Sequence, residues 1–274
     1  MFRLKSAFAS LSCNNFMKQL PIILLFLLSL VVTRELYAQK SKQEIYEIRI
    51  YKLKDKTQED RVDVFLKNTL VPAFHTYGTK NIGVFKPLET DSTSGKRIFV
   101  LIPYSSMENF FSVNDLVATQ GKTGNSEYID ASYTNPPYDR MESILLRAFP
   151  GMAHMEVPLF TSARSERIYE LRSYESATEK IYRNKVQMFN QGDEIGLFKR
   201  LGFHAVFYAD VIAGNRIPNL MYMTTFADRT SHDEHWKAFV DDPQWKKLSG
   251  MPEYQHNVSK INIFLLRPTD YSDY

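Results

Sequence analysis

The sequence predicts an α+β fold: two tandem β-α-β-β-α-β modules with their sheets packed together. Three observations predict it. First, Ile45-Tyr46-Glu47-Ile48-Arg49-Ile50-Tyr51 returns as Ile168-Tyr169-Glu170-Leu171-Arg172-Ser173-Tyr174, 123 residues later. Second, weaker matches follow at a slowly drifting offset. Phe65 matches Phe189, Phe74 matches Phe198, Gly78 matches Gly202, and Leu145-Leu146-Arg147 matches Leu265-Leu266-Arg267. Third, both halves show the same succession of strand and helix periodicities. The modules span 39–149 and 167–274, and a Pro/Gly/Ser-containing linker, 150–166, joins them.

Each module opens with a strand. Tyr46, Ile48 and Ile50 alternate with Glu47, Arg49 and Tyr51, so the two sets lie on opposite faces. A helix follows, with Val62, Phe65, Leu66, Thr69, Leu70 and Ala73 at helical spacing and Thr57 as its expected N-cap. In the second module Ile181, Tyr182, Lys185, Val186 and Phe189 form the stripe. Pro72 and Gly196 fall at corresponding places, as do Asn68 and Gly192, so both helices are expected to kink or break there. Two strands then pair: Ile82 to Pro87 with Arg97 to Tyr104, and Ala205 to Ile212 with Leu220 to Phe226 across Gly214-Asn215. A second helix (about Met107 to Ala118; Ser231 to Asp241) and a last strand (Ser143 to Phe149; Ile261 to Arg267) complete each ferredoxin-like module. Such a sheet carries helices on one face only, so its bare face must be buried, and a second copy supplies the cover.

Ahead of the modules, Ile22 to Val32 is an unbroken apolar run. Arg3, Lys5 and Lys18 precede it, and small Ala38 follows. This is the layout of a secretory signal peptide over 1–38, and the run is too short to span a membrane comfortably. The expected location is periplasmic or secreted, with no stable membrane insertion once the leader is gone. The leader holds four basic side chains and one acidic. Of the chain's 34 basic and 31 acidic residues, the remainder therefore keeps 30 of each and no net charge. That balance argues against a nucleic-acid partner. The single cysteine, Cys13, also lies in the leader, which excludes an intrachain disulfide or a cysteine-built zinc site.

The opening Tyr169-Glu170-Leu171-Arg172-Ser173-Tyr174, the Asp228-Arg229 turn and Asp242-Pro243-Gln244-Trp245 resemble the NIPSNAP family, within the dimeric α/β-barrel class. The match is strongest over Arg167 to Arg267. The first module carries it more weakly, with Ser126-Glu127-Tyr128 in place of the Trp245 segment. The resemblance implies a barrel and no particular reaction. The wider fold class includes small-molecule oxygenases and haem enzymes.

The candidate ligand-binding residues are Glu47, Arg49 and Tyr51 with their counterparts Glu170, Arg172 and Tyr174. They are expected to face the barrel interior, because their apolar neighbours suit the helix side. A buried Arg–Glu set either fixes sheet register or binds a small polar or acidic ligand. His204 and Tyr208, an even number apart on a strand, are expected to join that pocket. His204 is also the one histidine placed to ligate a haem inside the barrel. His232, Asp233 and His235 make a thin metal case, so no metal or cofactor is expected. Trp236, Phe239 and Trp245 read as core. Whether the protein is an enzyme stays open at this level. The readings are a small-molecule-binding barrel, a non-enzymatic interaction or scaffold module, or an oxygenase- or isomerase-like enzyme, with a homo-oligomer also allowed.

Overall fold

The computed structural model describes residues 42–121 and 126–274. The leader expected over 1–38 lies outside them. Among the described residues no helix is long and apolar enough to cross a membrane.

The first half runs β1 (Ile45–Lys52), α1 (Lys56–Phe65), a π-helical stretch (Leu66–Leu70), α2 (Val71–Thr76), β2 (Gly83–Pro87), β3 (Arg97–Tyr104), α3 (Met107–Gly121), α4 (Ser126–Ile129) and β4 (Arg140–Ala148). The second half runs β5 (Ile168–Glu175), α5 (Glu179–Asn190), α6 (Glu194–Arg200), β6 (His204–Ala213), β7 (Asn219–Phe226), α7 (Arg229–Asp241), α8 (Pro243–Ser249) and β8 (Lys260–Pro268). The eight strands close into one barrel in the order β1-β3-β2-β8-β5-β7-β6-β4. Each half thus contributes four neighbouring antiparallel strands with its opening strand in the middle. The halves also bond edge to edge, β2 to β8 and β4 to β6, which leaves no open sheet edge.

The cap of α1 is Asp55, not Thr57: its side chain accepts from the Gln58 amide. The expected irregularity appears in both halves in different forms. Pro72 has no N–H for an α-helical bond to residue 68. Upstream of it the helix widens rather than ends, and Val71 N–H donates to the Leu66 carbonyl five residues back. In the second half the helix stops at Asn190. It restarts after Asp193, which takes a left-handed φ of 64°.

The barrel interior is packed. Tyr46, Phe85, Phe99, Tyr169, Phe207 and Tyr274 belong to one buried cluster drawn from both halves. Their rings interlock: Tyr46 lies 5.3 Å from Phe207, and Phe85 lies 4.9 Å from Tyr169 and 5.4 Å from Tyr274. Two further clusters lie between the sheet and the helices, one in each half.

This packing reverses the expected orientation of the opening strands. Ile48, Ile50 and Leu171 point into the barrel. Glu47, Arg49 and Tyr51, like Glu170, Arg172 and Tyr174, point at the helices. The physical reason is the supply of partners. Inside the barrel a charged group meets only side chains from other strands, whereas α3 and α7 bring Asn114, His232 and Trp236 to the outer face.

Candidate functional site

In the first half the carboxylate of Glu47 is a hub. Arg49 Nε donates to its Oε1 at 2.8 Å and Arg49 Nη2 to its Oε2 at 3.0 Å, a two-pronged charged contact. Ser143 on β4, which pairs with Arg49 across the sheet, donates from Oγ at 2.7 Å, and Tyr104 at the end of β3 donates from its hydroxyl at 2.9 Å. Burial alone would push the Glu47 carboxyl up. The Arg49 charge and the hydrogen bonds from Arg49, Ser143 and Tyr104 outweigh it and hold the group below its ordinary value.

Asn114, on α3, completes the first-half network. Its Oδ1 accepts from Arg49 Nη2, and its Nδ2 donates to the Tyr104 hydroxyl at 3.0 Å and the Phe110 carbonyl at 2.8 Å. A guanidinium has five N–H bonds. Those on Nε and Nη2 are taken, while the two on Nη1 meet no acceptor among the described residues. Arg49 also forms part of the lining of a pocket of about 240 Å³ between α1, the π-helical stretch, α3 and α4. Its walls are Phe65, Leu70, Ala73, Val117, Ala118 and Ile129. Among the described residues the polar lining besides Arg49 is Thr69 and Asn114. The Thr69 hydroxyl makes no hydrogen bond among the described residues. The π-helical turn that carries Thr69 is a rare geometry, found disproportionately at functional sites.

The second half builds the same hub and then closes it. Arg172 Nε donates to Glu170 Oε1 at 2.7 Å. Glu170 Oε2 also receives the Trp236 indole N–H and is bonded to His232 Nε2 at 3.0 Å. Burial raises the Glu170 carboxyl, but the His232 bond and the Arg172 charge prevail and hold it below its ordinary value. Here Nη1 is not open. It donates to the Tyr174 hydroxyl at 3.0 Å, and the Trp236 ring covers the guanidinium at 3.6 Å. Trp236 and Asn114 hold corresponding places. Tyr104 and Phe226 pair with the first residues of β1 and β5, and Asn114 and Trp236 each lie ten residues further on. The small amide leaves a chamber over Arg49, and the indole fills the equivalent space over Arg172.

The structure therefore brings Glu47 and Arg49 together at a pocket. Tyr51 is buried nearby, its hydroxyl 3.4 Å from that of Tyr128. Glu170, Arg172 and Tyr174 form a separate, filled site. His204 and Tyr208 join neither of these sites; both line a separate recess with Glu156, Lys199 and Phe203. A bulge between Ala205 and Phe207 shifts the register of β6, so the even spacing no longer puts them on one face. His204 is exposed beside the Phe160 ring, 4.9 Å away, which removes it as an axial ligand inside the barrel. Tyr208 is buried on the helix side. His232 is engaged by Glu170 and by Asp233 Oδ1 at 2.7 Å, and His235 Nδ1 donates to the Ser231 carbonyl at 2.6 Å. Among the described residues no group of three or more His, Cys, Asp or Glu could hold a metal ion. Trp236 and Phe239 pack in the helix-side cluster, with Phe239 stacked on Phe198 at 4.7 Å. Sequence reasoning missed Asn114, Tyr104 and Ser143. The one available signal was the contrast between Asn114 and the tryptophan at the matching place.

Fold and site together define a closed α/β barrel of ferredoxin-like topology with a buried Arg–Glu pair on the helix side of each half. The NIPSNAP family model matches residues 169–273, and this second half is a NIPSNAP domain. Among solved structures, a candidate monooxygenase from Lactobacillus acidophilus is similar at 12% identity and a TM-score of 0.52, covering 82% of this chain and 94% of that one. An anthrone oxidase-like protein is similar at 10% identity and a TM-score of 0.51, covering 84% and 93%. A candidate monooxygenase from Fusobacterium nucleatum gives 10% and 0.50, covering 83% and 93%. These likenesses concern the fold. No curated protein matches the sequence.

Proposed function

We propose that the protein is an exported small-molecule-binding barrel, built from two tandem ferredoxin-like modules packed as a dimeric α/β-barrel within one chain. Its ligand occupies the first-half pocket over Arg49, on the helix side of the sheet. One observation carries this reading: a part-buried guanidinium, its side chain 13% exposed, whose two Nη1 N–H groups meet no acceptor among the described residues and which lines an otherwise apolar pocket. A few polar groups in an apolar recess are the usual make-up of a ligand site. The volume suits a compact ligand, since a cavity of about 150 Å³ already accepts benzene.

The fold neighbours favour a second reading, an oxygenase-like enzyme. The pocket lining weighs against it. Among the described residues Arg49, Thr69 and Asn114 are its polar groups, and none is a proton acceptor suited to neutral pH. Glu47, the nearest carboxylate, is held by Arg49, Ser143 and Tyr104. The filled barrel interior is what a scaffold module would also show, but a scaffold gives no reason for the opening over Arg49. Native mass spectrometry of the chain from residue 39 onward, purified from its own host, tests the proposal. A small molecule should co-purify with the natural sequence and be lost from Ala118→Trp, which places an indole at the exposed rim. A ligand retained by that variant would refute the site.

A further inference from the structure

We infer that the ligand is uncharged: a ring-sized apolar molecule whose carbonyl or phenol-type oxygen accepts from Arg49 Nη1, and not a carboxylate. This rests on the reading that the first-half pocket is a ligand site, and it names the ligand's chemical class.

The charge balance gives the first argument. Among the described residues Arg49 is the one ionisable side chain lining the pocket, and Glu47 already neutralises it through two hydrogen bonds. An entering carboxylate would leave water for an apolar recess. It would find there a cation already committed to another carboxylate on the same guanidinium. Its desolvation would go uncompensated and the two anions would repel. A carbonyl oxygen needs only a hydrogen-bond donor, and the two on Nη1 meet no acceptor among the described residues.

The second half supplies the other argument, an internal copy of the occupied state. The guanidinium of Arg172 sits on the same strand position and is paired to the equivalent carboxylate. Its Nη1 is satisfied by a neutral phenol oxygen, that of Tyr174, at 3.0 Å. Its face is covered by a neutral aromatic ring, that of Trp236, at 3.6 Å. In the first half Nη1 meets no acceptor among the described residues, and the guanidinium has only the looser company of the Phe74 ring, 5.5 Å from its centre. Tyr51, the counterpart of Tyr174, has its hydroxyl near Tyr128 instead, and Asn114 replaces the indole. What the second half completes with its own side chains, the first half leaves for a molecule of the same chemistry: an aromatic surface and a neutral oxygen.

Acetophenone and benzoate provide the test, because they share a ring and differ in bearing an uncharged carbonyl or a carboxylate. Binding of each to the chain from residue 39 onward is measured by saturation-transfer NMR and calorimetry at pH 7, with Ala118→Trp as the blocked control. The expected result is acetophenone binding at least about tenfold tighter than benzoate, a gap of about 1.4 kcal/mol, with the signal lost in the variant. Benzoate binding as tightly or more tightly, and lost in the variant, would overturn the uncharged-ligand inference while leaving the pocket as a binding site. If neither compound gives a signal that Ala118→Trp removes, the pocket reading itself fails and this inference with it.

Discussion

At the scale of single residues, Glu47 governs the site. It is almost wholly buried, at 3% exposure, and it carries the negative charge that lets Arg49 stay inside. Glu47→Gln removes that charge and strands a buried cation. A loss of about 3–5 kcal/mol of stability at pH 7 is expected, read by urea denaturation. The pH dependence follows from the direction of the carboxyl shift. Glu47 and Glu170 both sit below their ordinary values in the folded protein. Their contribution is therefore complete above the unfolded carboxyl value, about 4.3, and drains away as pH falls through the lower folded values. The share of unfolding free energy due to these two groups should be steady from neutral pH down to about 5 and fall steeply below about 4. Glu47→Gln should flatten that fall; an unaltered acid limb in the variant would refute the assignment.

The residue scale also shows the limit of what the sequence made legible. The pairing of Glu47 with Arg49 and of Glu170 with Arg172 followed from their spacing on a strand. Which way the pairs faced did not. β1 is buried on both faces, so alternation separates two sides without saying which meets helices and which meets the other half. The side chains that decide it, Asn114 and Trp236, lie on helices far along the chain. The error over His204 and Tyr208 is of another kind. One inserted residue in β6 breaks the period of two, and nothing in its composition marks the insertion.

At the scale of elements, the two halves solve one problem differently. Each must turn a long helix over the sheet at the same point. The first keeps a continuous run from Lys56 to Thr76 by widening one turn. The second cuts the run and secures the pieces with a buried ion pair, Lys185 Nζ to Glu194 Oε2 at 2.8 Å, which ties α5 to α6. Lys185 also lies 4.7 Å from the Phe189 ring centre. Burial pushes the Glu194 carboxyl up against the pull of Lys185. Removing one partner should be costly and removing both should not. Lys185→Met alone is expected to lose about 3–5 kcal/mol. Lys185→Met with Glu194→Leu should recover most of it in a double-mutant cycle. Equal losses in the single and double variants would show that the pair is not coupled. The break itself was legible from Pro72 and Gly192, whereas Gly196 lies inside α6. That one half would answer with a wider turn and the other with a gap was not, because the choice depends on what packs beneath.

At the scale of the whole molecule, closure of the barrel rests on two short seams. β2 meets β8 over three residue pairs, whereas β5 meets β7 over eight. The β2–β8 seam is backed from inside by Tyr274, whose ring contacts Phe85 at 5.4 Å and Tyr169 at 5.8 Å and is 1% exposed. Tyr274→Ala should cost about 3–5 kcal/mol. In hydrogen exchange its effect should concentrate in β2 and β8 rather than β1. Uniform loss of protection would argue that the ring supports the core at large.

The difference between Asn114 and Trp236 has a consequence for counting. In a barrel assembled from two identical chains, symmetry would oblige both guanidinium chambers to be vacant or both to be plugged. Covalent fusion lifts that obligation, and here one half has become a permanent lid on its own arginine while the other stays open. Each polypeptide should therefore saturate at a single equivalent of ligand.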